Sequence, residues 1–254
     1  MAVYVIANQK GGVGKTTTVL MFAALLGSKG KKVLVVDCDS QMNATTRLES
    51  EDDEYIDTIY DLMTAPLSPE KTAEAICKAK PEFKNVYFIP GNPKIARVEP
   101  SLPPYGRESV LKRILSPFFK KFDVILIDTP PTVNVLTINA LVSADKVIIP
   151  CDMSLDSIEG ADVIRNTLNE LKKLKLSSAS LDGIFISGIE KKNSNLTKEI
   201  LKKVGAEFDK NIIKGSVPAS TKIGEAAIEG LTSFHLFKDH PVTNAYVELS
   251  KRFF

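Results

Sequence analysis

The sequence predicts an α/β fold built on a doubly wound, mostly parallel sheet of about seven or eight strands with helices on both faces. Short runs such as VYVIA and VLVVD are continuously apolar and β-branched, which is typical of central parallel strands covered on both faces. These runs alternate with longer helical patterns, as right-handed βαβ units require. We expect strands at residues 3–7, 33–37, 86–90, 123–128, 146–150, 183–189 and 211–217, and helices at about 15–28, 55–63, 107–120, 134–143, 156–175, 195–206 and 241–252.

Length and composition favour one soluble domain. The chain has 254 residues and no internal repeat or low-complexity linker, so we expect a single domain over residues 1–254. Hydrophobic residues make up 44% and charged residues 25%, as in ordinary globular proteins. No apolar run approaches the roughly 20 residues that span a bilayer, and the N-terminus lacks the features of a signal peptide. We therefore expect a cytoplasmic protein.

The cysteines and histidines indicate neither a disulfide framework nor a metal site. Cys38, Cys77 and Cys151 are far apart in the sequence and odd in number. Cys38 lies in an apolar segment, where we expect it to be a small buried hydrophobe. His235 and His240 have no second ligand or nucleophile near them in the sequence, so we expect packing or surface roles for both.

The first predicted strand is followed by a glycine-rich segment, NQKGGVGKTTT, and then by a helix. Consecutive backbone N–H groups in such a turn form an anion-binding nest, and the helix N-terminus adds its dipole. Lys15 is placed to neutralise the β- and γ-phosphates of a nucleotide, and the Thr16 hydroxyl to ligate Mg²⁺. Gln9 stands where a standard phosphate-binding loop has its first glycine. The nucleotide-binding residues expected here are Gly11, Gly12, Val13, Gly14, Lys15, Thr16 and Thr17.

Three aspartates follow predicted strands. Asp37 and Asp39 end the second strand, and Asp128 ends a strongly apolar later one. In open α/β sheets this edge holds the ligand. A carboxylate at that edge can orient an attacking water or hold Mg²⁺, and Asp128 is suited to contact Mg²⁺ and sense the γ-phosphate. For Asp37, capping of the next segment is an equally consistent role.

Four segments resemble the ParA/MinD group of P-loop ATPases. KGGVGKTT (10–17) is similar to their deviant Walker A signature, which has an additional lysine at the start of the loop. VLVVDCDSQMNAT (33–45) resembles the segment usually written VLLVDxDPQGNAT, and FDVILIDTPP (122–131) resembles the Walker B strand. VPASTKIGEA (217–226) is similar to a stretch that often reads IPRNVRLSEA. Together they favour the chromosome- and plasmid-partition ATPases of this group.

The resemblance implies a slow ATPase that uses ATP and Mg²⁺ and forms a homodimer on binding ATP. Lys10 would reach across that dimer to the partner's phosphates, and Asp39 would face the attacking water. The implied catalytic residues are Lys10, Lys15 and Asp39; the implied metal ligands are Thr16, Asp39 and Asp128; and the implied nucleotide contacts extend to Pro218.

The sequence departs from the family pattern in two loops. Ser40 and Met42 replace the usual Pro and Gly after the second aspartate. Because Met42 gives up the positive-φ freedom of glycine, we expect this loop to differ in shape. Asp152 and Ser154 stand where the family usually has Gln and Glu, in a loop that lies near the dimer interface in relatives.

Basic residues concentrate late in the chain. The net charge is +2, but residues 191–222 hold eight lysines and three acids, a local charge of +5. On charge alone, a solvated helix face is at least as consistent as an electrostatic footprint for nucleic acid. Lys222 matches an arginine that the family uses for non-specific DNA binding. By that resemblance, the expected DNA-contacting residues are Lys198, Lys202, Lys203 and Lys222.

The resemblance therefore implies a cytoplasmic, nucleoid-associated partition ATPase. Its ATP-bound dimer would bind non-specific DNA, and a ParB-like centromere-binding protein would stimulate hydrolysis. The alternatives are a MinD-like membrane-cycling regulator, a positioning ATPase for a non-DNA cargo, and a small-molecule ligase or metallocluster reductase. A membrane role is disfavoured because the terminal SKRFF is shorter than an amphipathic anchoring helix, and no cysteine pair supports the reductase.

Overall fold

The computed structural model describes residues 1–51, 54–189, 199, 202, 204–205, 208 and 212–254. Within these residues the chain forms one eight-stranded sheet in the order β3-β4-β2-β5-β1-β6-β7-β8. The strands are β1 (Ala2–Ile6), β2 (Val33–Asp37), β3 (Cys77–Lys78), β4 (Val86–Ile89), β5 (Val124–Asp128), β6 (Lys146–Cys151), β7 (Ser180–Ile189) and β8 (Ile213–Pro218). All pairs are parallel except β3 with β4, which confirms the predicted fold class.

Helices connect the strands. They are α1 (Lys15–Ser28), α2 (Asn43–Leu48), α3 (Ile59–Thr64), α4 (Pro69–Glu74), α5 (Val110–Leu115), α6 (Val135–Ser143), α7 (Leu155–Lys173), α8 (Thr221–Ile228), α9 (Ser233–Leu236) and α10 (Pro241–Phe253). Short 3₁₀ turns occupy Pro93–Arg97, Glu99–Ser101, Arg107–Ser109 and Ser116–Phe118. The first two of these turns lie in the proline-rich stretch 92–106.

Several predicted boundaries were wrong. The helix expected at 107–120 is divided, because α5 stops before a 3₁₀ turn that contains Pro117, whose ring cannot continue a helix. The helix expected at 55–63 begins only at Ile59, where Thr58 and Asp61 form a capping box. The sequence did not predict α2, α4, α8, α9 or β3. Most of the helix expected at 195–206 lies outside the described residues.

Alternate residues of the strands face two apolar cores. One face of the sheet, including Val5 and Ile127, packs with α3, α5, α6 and α7. The other face, including Ile6 and Leu126, packs with α1 and α10. Burial on both faces explains why these strands are apolar at nearly every position. The central strands are thereby held rigidly, which fixes the positions of the loops at their carboxyl ends.

Cys38 and the two histidines have structural positions. Cys38 is buried in the core, as expected for a small hydrophobe. His235 Nδ1 accepts a hydrogen bond from the Thr232 N–H at 3.2 Å and caps α9. His240 Nδ1 accepts one from the Val242 N–H at 3.2 Å and caps α10. Both rings therefore have structural roles.

The parallel register sets the site. Ile6 and Asp37 each pair with Asp128, so the carboxyl ends of β1, β2 and β5 lie in one row. The glycine-rich loop leaves β1 at this row, and the other two strands deliver their aspartates beside it. This edge matches the ligand-binding edge of doubly wound sheets.

Close contact between α1 and the loop before β4 yields a stability prediction. A Cβ at Gly27 would overlap the Lys84 carbonyl oxygen, which belongs to the backbone, and Asn85 Nδ2 donates to the Gly27 carbonyl at 3.0 Å. We expect Gly27→Ala to lower the free energy of unfolding by about 1–3 kcal/mol, because α1 must move off the sheet. Urea unfolding of the nucleotide-free protein measures this.

Gly224→Ala is the matched control, since Gly224 also lies in a helix but has open space around its Cβ position. It should leave stability unchanged or raise it by up to about 1 kcal/mol. Equal stability of Gly27→Ala and the parent chain would contradict the close approach of α1 to this loop.

Candidate nucleotide-binding site

The glycine-rich loop has the backbone of an anion-binding turn. Gly12 and Gly14 have φ values of 78° and 91°, which L side chains rarely adopt, and Gly14 is the N-cap of α1. The Lys15 ammonium folds back over the loop and donates to the Lys10 carbonyl at 2.9 Å. Burial lowers the pKa of Lys15, while the negative charges of Asp128 and Asp39 oppose that shift. The loop therefore has the helix N-terminus and the cation that a polyphosphate requires.

Asp128 is a strongly perturbed carboxyl of the site. It is fully buried, and Thr16 Oγ1 donates to its Oδ2 at 2.6 Å. Burial, together with the nearby negative charge of Asp37, raises the pKa of Asp128 to about 8. Its Oδ1 is buried and has no hydrogen-bond partner among the described residues. An orphaned carboxylate oxygen of this kind needs a cation or a water.

Asp37 makes the contacts of a structural role, one of the two roles that the sequence left open. Its Oδ2 accepts hydrogen bonds from the Thr45 N–H and hydroxyl, both at 2.8 Å, and its Oδ1 accepts one from the Asp39 N–H at 3.1 Å. Burial raises the pKa of Asp37, and the hydrogen bonds from Thr45 oppose the shift. Asp37 thus fixes α2 against the end of β2.

Met42 takes the backbone conformation that glycine favours, although it is not glycine. Met42 adopts φ 54°, in the left-handed region that the glycine of relatives would occupy easily. It precedes α2 as its N-cap residue, and its side chain is half-buried. The bonds that Asp37 makes to Thr45 hold α2 in place, so the loop keeps positive φ without glycine. Asp39 remains available to the site, and its Oδ1 accepts the Gln41 N–H at 3.0 Å.

The residues present fit Mg²⁺ bound together with a nucleotide. Within the described ranges, no group of three His, Cys, Asp or Glu side chains is arranged to hold a metal by itself. Mg²⁺ commonly takes one or two protein oxygens and completes its shell with phosphate oxygens and water. The Thr16 hydroxyl, the orphaned Oδ1 of Asp128 and the Asp39 carboxylate are suitable oxygen donors at one edge of the sheet.

Two cavities meet at the loop. One, which we call the phosphate cavity, has a volume of about 350 Å³. It is lined by Gly11, Gly12, Gly14, Lys15, Thr16, Thr17, Asp39, Gln41, Asn43, Arg47 and Pro131. The other, of about 300 Å³, extends toward β8 and includes Pro218, Ile223 and Tyr246 in its lining. Gly12, Gly14 and Thr17 line both. The structure thus brings together the expected loop residues, Asp39 and Pro218 around a space suited to an elongated polyanionic ligand.

Lys10 lines neither cavity and is held by two side chains that follow β6. Its ammonium donates to Asp152 Oδ2 at 2.8 Å and to Ser154 Oγ at 2.6 Å. Burial acts to raise the pKa of Asp152, but hydrogen bonds from Lys10 and Ser154 outweigh it and hold the pKa below its ordinary value. Asn8 fixes the geometry, since its Nδ2 donates to the Pro150 carbonyl at 2.8 Å while its Oδ1 accepts the Lys10 N–H at 3.0 Å. Asp152 and Ser154, the two residues of this loop that depart from the family pattern, are therefore the intrachain partners of Lys10.

Several residues that line the two cavities were not predicted from the sequence. Arg47, on α2, lines the phosphate cavity, and Tyr246, on α10, lines the other. The Tyr246 hydroxyl lies 3.4 Å from Thr18 Oγ1, and burial raises the pKa of Tyr246 to about 12. The only sequence signal for Arg47 was a basic residue shortly after the aspartate-containing loop. Tyr246 had none, because it is distant in the chain.

The lysines expected to contact DNA are only partly described. Lys198 and Lys203 lie outside the described residues, and Lys202 is exposed. Lys222 is half-buried on α8; its ammonium lies 2.6 Å from Glu225 Oε2 and 4.8 Å from the centre of the Phe237 ring. Among the described residues, no helix combines the length and apolar character needed to cross a membrane.

Comparison with known proteins shows which family the chain resembles. Residues 1–182 match a family model described as an AAA domain. Over 226 residues the chain is 34% identical to the sporulation initiation inhibitor protein Soj of Bacillus subtilis, covering 89% of this chain and 87% of Soj. The structure is similar to an ATP complex of McdA from Cyanothece, with a TM-score of 0.83, 25% identity and coverage of 99% and 96%. It is also similar to cobyrinic acid a,c-diamide synthase from Mycobacterium smegmatis with a bound ATP analogue and magnesium, with a TM-score of 0.83, 26% identity and coverage of 99% and 93%.

The phosphate loop between β1 and α1, with Asp128 at the end of the adjacent strand β5, defines a P-loop ATPase. Within that class, the identity to Soj over most of both chains shows that this chain belongs to the ParA/Soj family of partition ATPases. The resemblance that the sequence motifs indicated is thereby confirmed, as is the use of ATP and Mg²⁺ that the site geometry fits.

The raised pKa of Asp128 predicts how stability depends on pH in the nucleotide-free protein. Between about pH 4 and pH 8 the folded state keeps a proton that the unfolded state releases, so stability is full at the acid end and falls as pH rises through about 8. Asp128→Asn should weaken this dependence and raise stability at pH 8, because it removes one buried proton-binding carboxyl but leaves Asp37, whose pKa is also raised. Urea unfolding between pH 5.5 and 8.5 tests both statements.

Asp239→Asn, at an exposed position, is the control and should leave the pH dependence unchanged. A slope for Asp128→Asn identical to that of the parent chain would show that Asp128 does not hold the proton.

Proposed function

We propose that this chain is a DNA-partition ATPase whose residues 1–254 form one ATPase domain. ATP binding drives two chains into a face-to-face dimer, the dimer binds DNA without sequence preference, and slow hydrolysis releases it. A ParB-like centromere-binding protein stimulates that hydrolysis, and the protein is cytoplasmic and nucleoid-associated. The observation that carries the proposal is Lys10, a second loop lysine that does not line the phosphate cavity of its own chain but is held by Asp152 and Ser154.

The Lys10–Asp152 pair suits a switch. The two side chains are 28% and 30% exposed, and an ion pair this accessible to water is worth about 1 kcal/mol or less. A bound triphosphate carries several negative charges and competes readily for the ammonium. Lys10 is therefore easily released to a partner's phosphates, where it stabilises charge that develops during transfer, as an arginine finger does.

The remaining chemistry belongs to groups of one chain. Lys15 neutralises the β- and γ-phosphates from the first turn of α1. Asp39 lines the phosphate cavity and orients the attacking water. When bound, Mg²⁺ supplies further charge neutralisation, with Thr16, Asp128 and Asp39 as its protein oxygens. The positive charge of an ion held beside Asp128 would favour the ionised form of this buried carboxyl.

The proposed DNA surface consists of Lys198, Lys202, Lys203 and Lys222. Lys222 is held by Glu225 at an exposed pair that contributes little to stability. The Lys222 ammonium can therefore leave the Glu225 carboxylate and bind a phosphate of the DNA backbone. The membrane-cycling and non-DNA cargo functions remain the competing outcomes of the binding experiment below.

The first functional prediction concerns dimerisation. Lys10→Ala should bind ATP with near-normal affinity, because Lys10 does not line its own chain's cavity, but should lose ATP-driven dimerisation and hydrolysis. Asp152→Ala, which frees Lys10 in advance, should dimerise at lower ATP concentration. Calorimetry measures binding, and light scattering coupled to size exclusion measures the dimer.

The exposed Lys31→Ala serves as the charge-matched control and should behave as the parent chain. A monomeric Lys10→Ala protein with full ATPase activity would show that Lys10 does not act across a dimer.

The second functional prediction concerns DNA. Binding to random-sequence duplex should require ATP, and Lys222→Ala should weaken it and lower the slope of log affinity against log salt by about 0.9, the loss of one phosphate contact. Lys222→Arg, which keeps the positive charge, should bind DNA as the parent chain does. Electrophoretic shift or fluorescence anisotropy with ATP, ADP and no nucleotide provides the measurement.

Lys251→Ala is a close control, since Lys251 pairs with Glu248 at the same spacing and the same 2.6 Å distance but on α10. Nucleotide-independent binding would contradict the switch, and normal binding by Lys222→Ala would contradict the DNA surface. ATP-dependent pelleting with anionic vesicles, without DNA binding, would favour the membrane function instead.

A further inference from the structure

Arg47 is a basic side chain in the phosphate cavity that the P-loop mechanism does not use. It belongs to α2, whose Ala44, Thr45 and Leu48 are buried against the sheet. Asn43 and Arg47 are four residues apart, so they share another face of this helix, and both line the phosphate cavity together with Lys15, Thr16 and Thr17. The side chain of Arg47 is half-buried there.

Burial lowers the pKa of the Arg47 guanidinium, and the negative charge of Asp128 opposes that shift without a direct bond among the described residues. Among the residues that the structure describes, Arg47 forms no hydrogen bond and no ion pair, although Asp39 lines the same cavity. An arginine carries five N–H donors and stays charged in proteins, so partial burial without a partner is costly unless an anion completes the site. The bonds of Asp37 to Thr45 hold the helix in place, so the cation is positioned before any ligand binds.

We infer that Arg47 binds a phosphate of the nucleotide held by its own chain, as a second cation of the site beside Lys15. This inference depends on nucleotide binding, and it is independent of the proposed DNA function. Guanidinium groups match phosphate oxygens in a planar, bidentate geometry that a lysine lacks.

The position of Arg47 indicates which phosphate it binds. Thr17 lines both cavities and therefore lies where the phosphate side meets the side that extends toward β8. Arg47 borders Thr17 a second time, in a small space shared with Leu20 and Met21 farther along α1. This places Arg47 beside Thr17, at the end of the phosphate chain nearer the second cavity. The phosphate it contacts is accordingly one that ATP and ADP have in common.

Equilibrium binding of Mg·ADP and Mg·ATP to the purified chain tests the inference without requiring turnover. Arg47→Ala should weaken both nucleotides by a similar factor of about tenfold or more, the size of a lost charge-assisted hydrogen bond. Arg47→Met keeps most of the apolar stem and should lose as much, whereas Arg47→Lys should recover part of the affinity. Isothermal titration calorimetry gives the dissociation constants, and thermal melting without nucleotide confirms that each variant is folded.

The exposed Arg97→Ala is the matched control and should bind both nucleotides normally. Affinity within twofold of the parent chain for Arg47→Ala overturns the inference. Normal binding by Arg47→Met also overturns it, because the loss in the alanine variant would then reflect packing. Loss for ATP with normal ADP binding would contradict the assignment to a shared phosphate of the same chain.

Discussion

The concentration of negative charge at one end of a parallel sheet constrains the rest of this structure. Register places the ends of β2 and β5 side by side, so two aspartates lie buried next to each other before any ligand arrives. Asp37 is satisfied by α2 through Thr45, whereas Asp128 has one oxygen bonded to Thr16 and one with no partner among the described residues. Like charges in an apolar interior favour protonation or a cation. The Lys15 ammonium offsets part of this negative charge, and a bound Mg²⁺ would offset more of it.

The interactions that hold the nucleotide site in shape involve different residues from the ion pairs that can exchange partners. The loop, the aspartates and α2 are connected by short buried hydrogen bonds that leave little freedom. Lys10 and Lys222, which are proposed to act on other molecules, are instead held by Asp152 and Glu225 in accessible ion pairs. Such pairs contribute little to stability, so the chain loses little when they exchange partners. Each lysine is kept in a defined position until a stronger anion is present.

The sequence was sufficient for the sheet and for the outline of the site, because apolar strands and the phosphate loop have local signatures. It was insufficient where position depends on tertiary contact. Helix α2 was missed because it is short and is fixed by Asp37, and Arg47 was missed with it. The same contact allows positive φ at Met42, where the sequence predicted a changed loop. The bond from Lys10 to Asp152 joins residues separated by 142 positions, which no local pattern reveals.

Helix α10 has a consequence for how the site forms. The Tyr4 hydroxyl donates to the Phe253 carbonyl at 2.8 Å across 249 positions of sequence, and Tyr246 lies beneath the turn that carries Thr18. Contacts of such long sequence separation form late, since the entropy of closing the chain must be overcome before they contribute. The phosphate loop is made of early residues, but one wall of its cavity comes from the last helix of the sequence. A chain in which α10 has not docked therefore lacks one wall of the cavity for ATP.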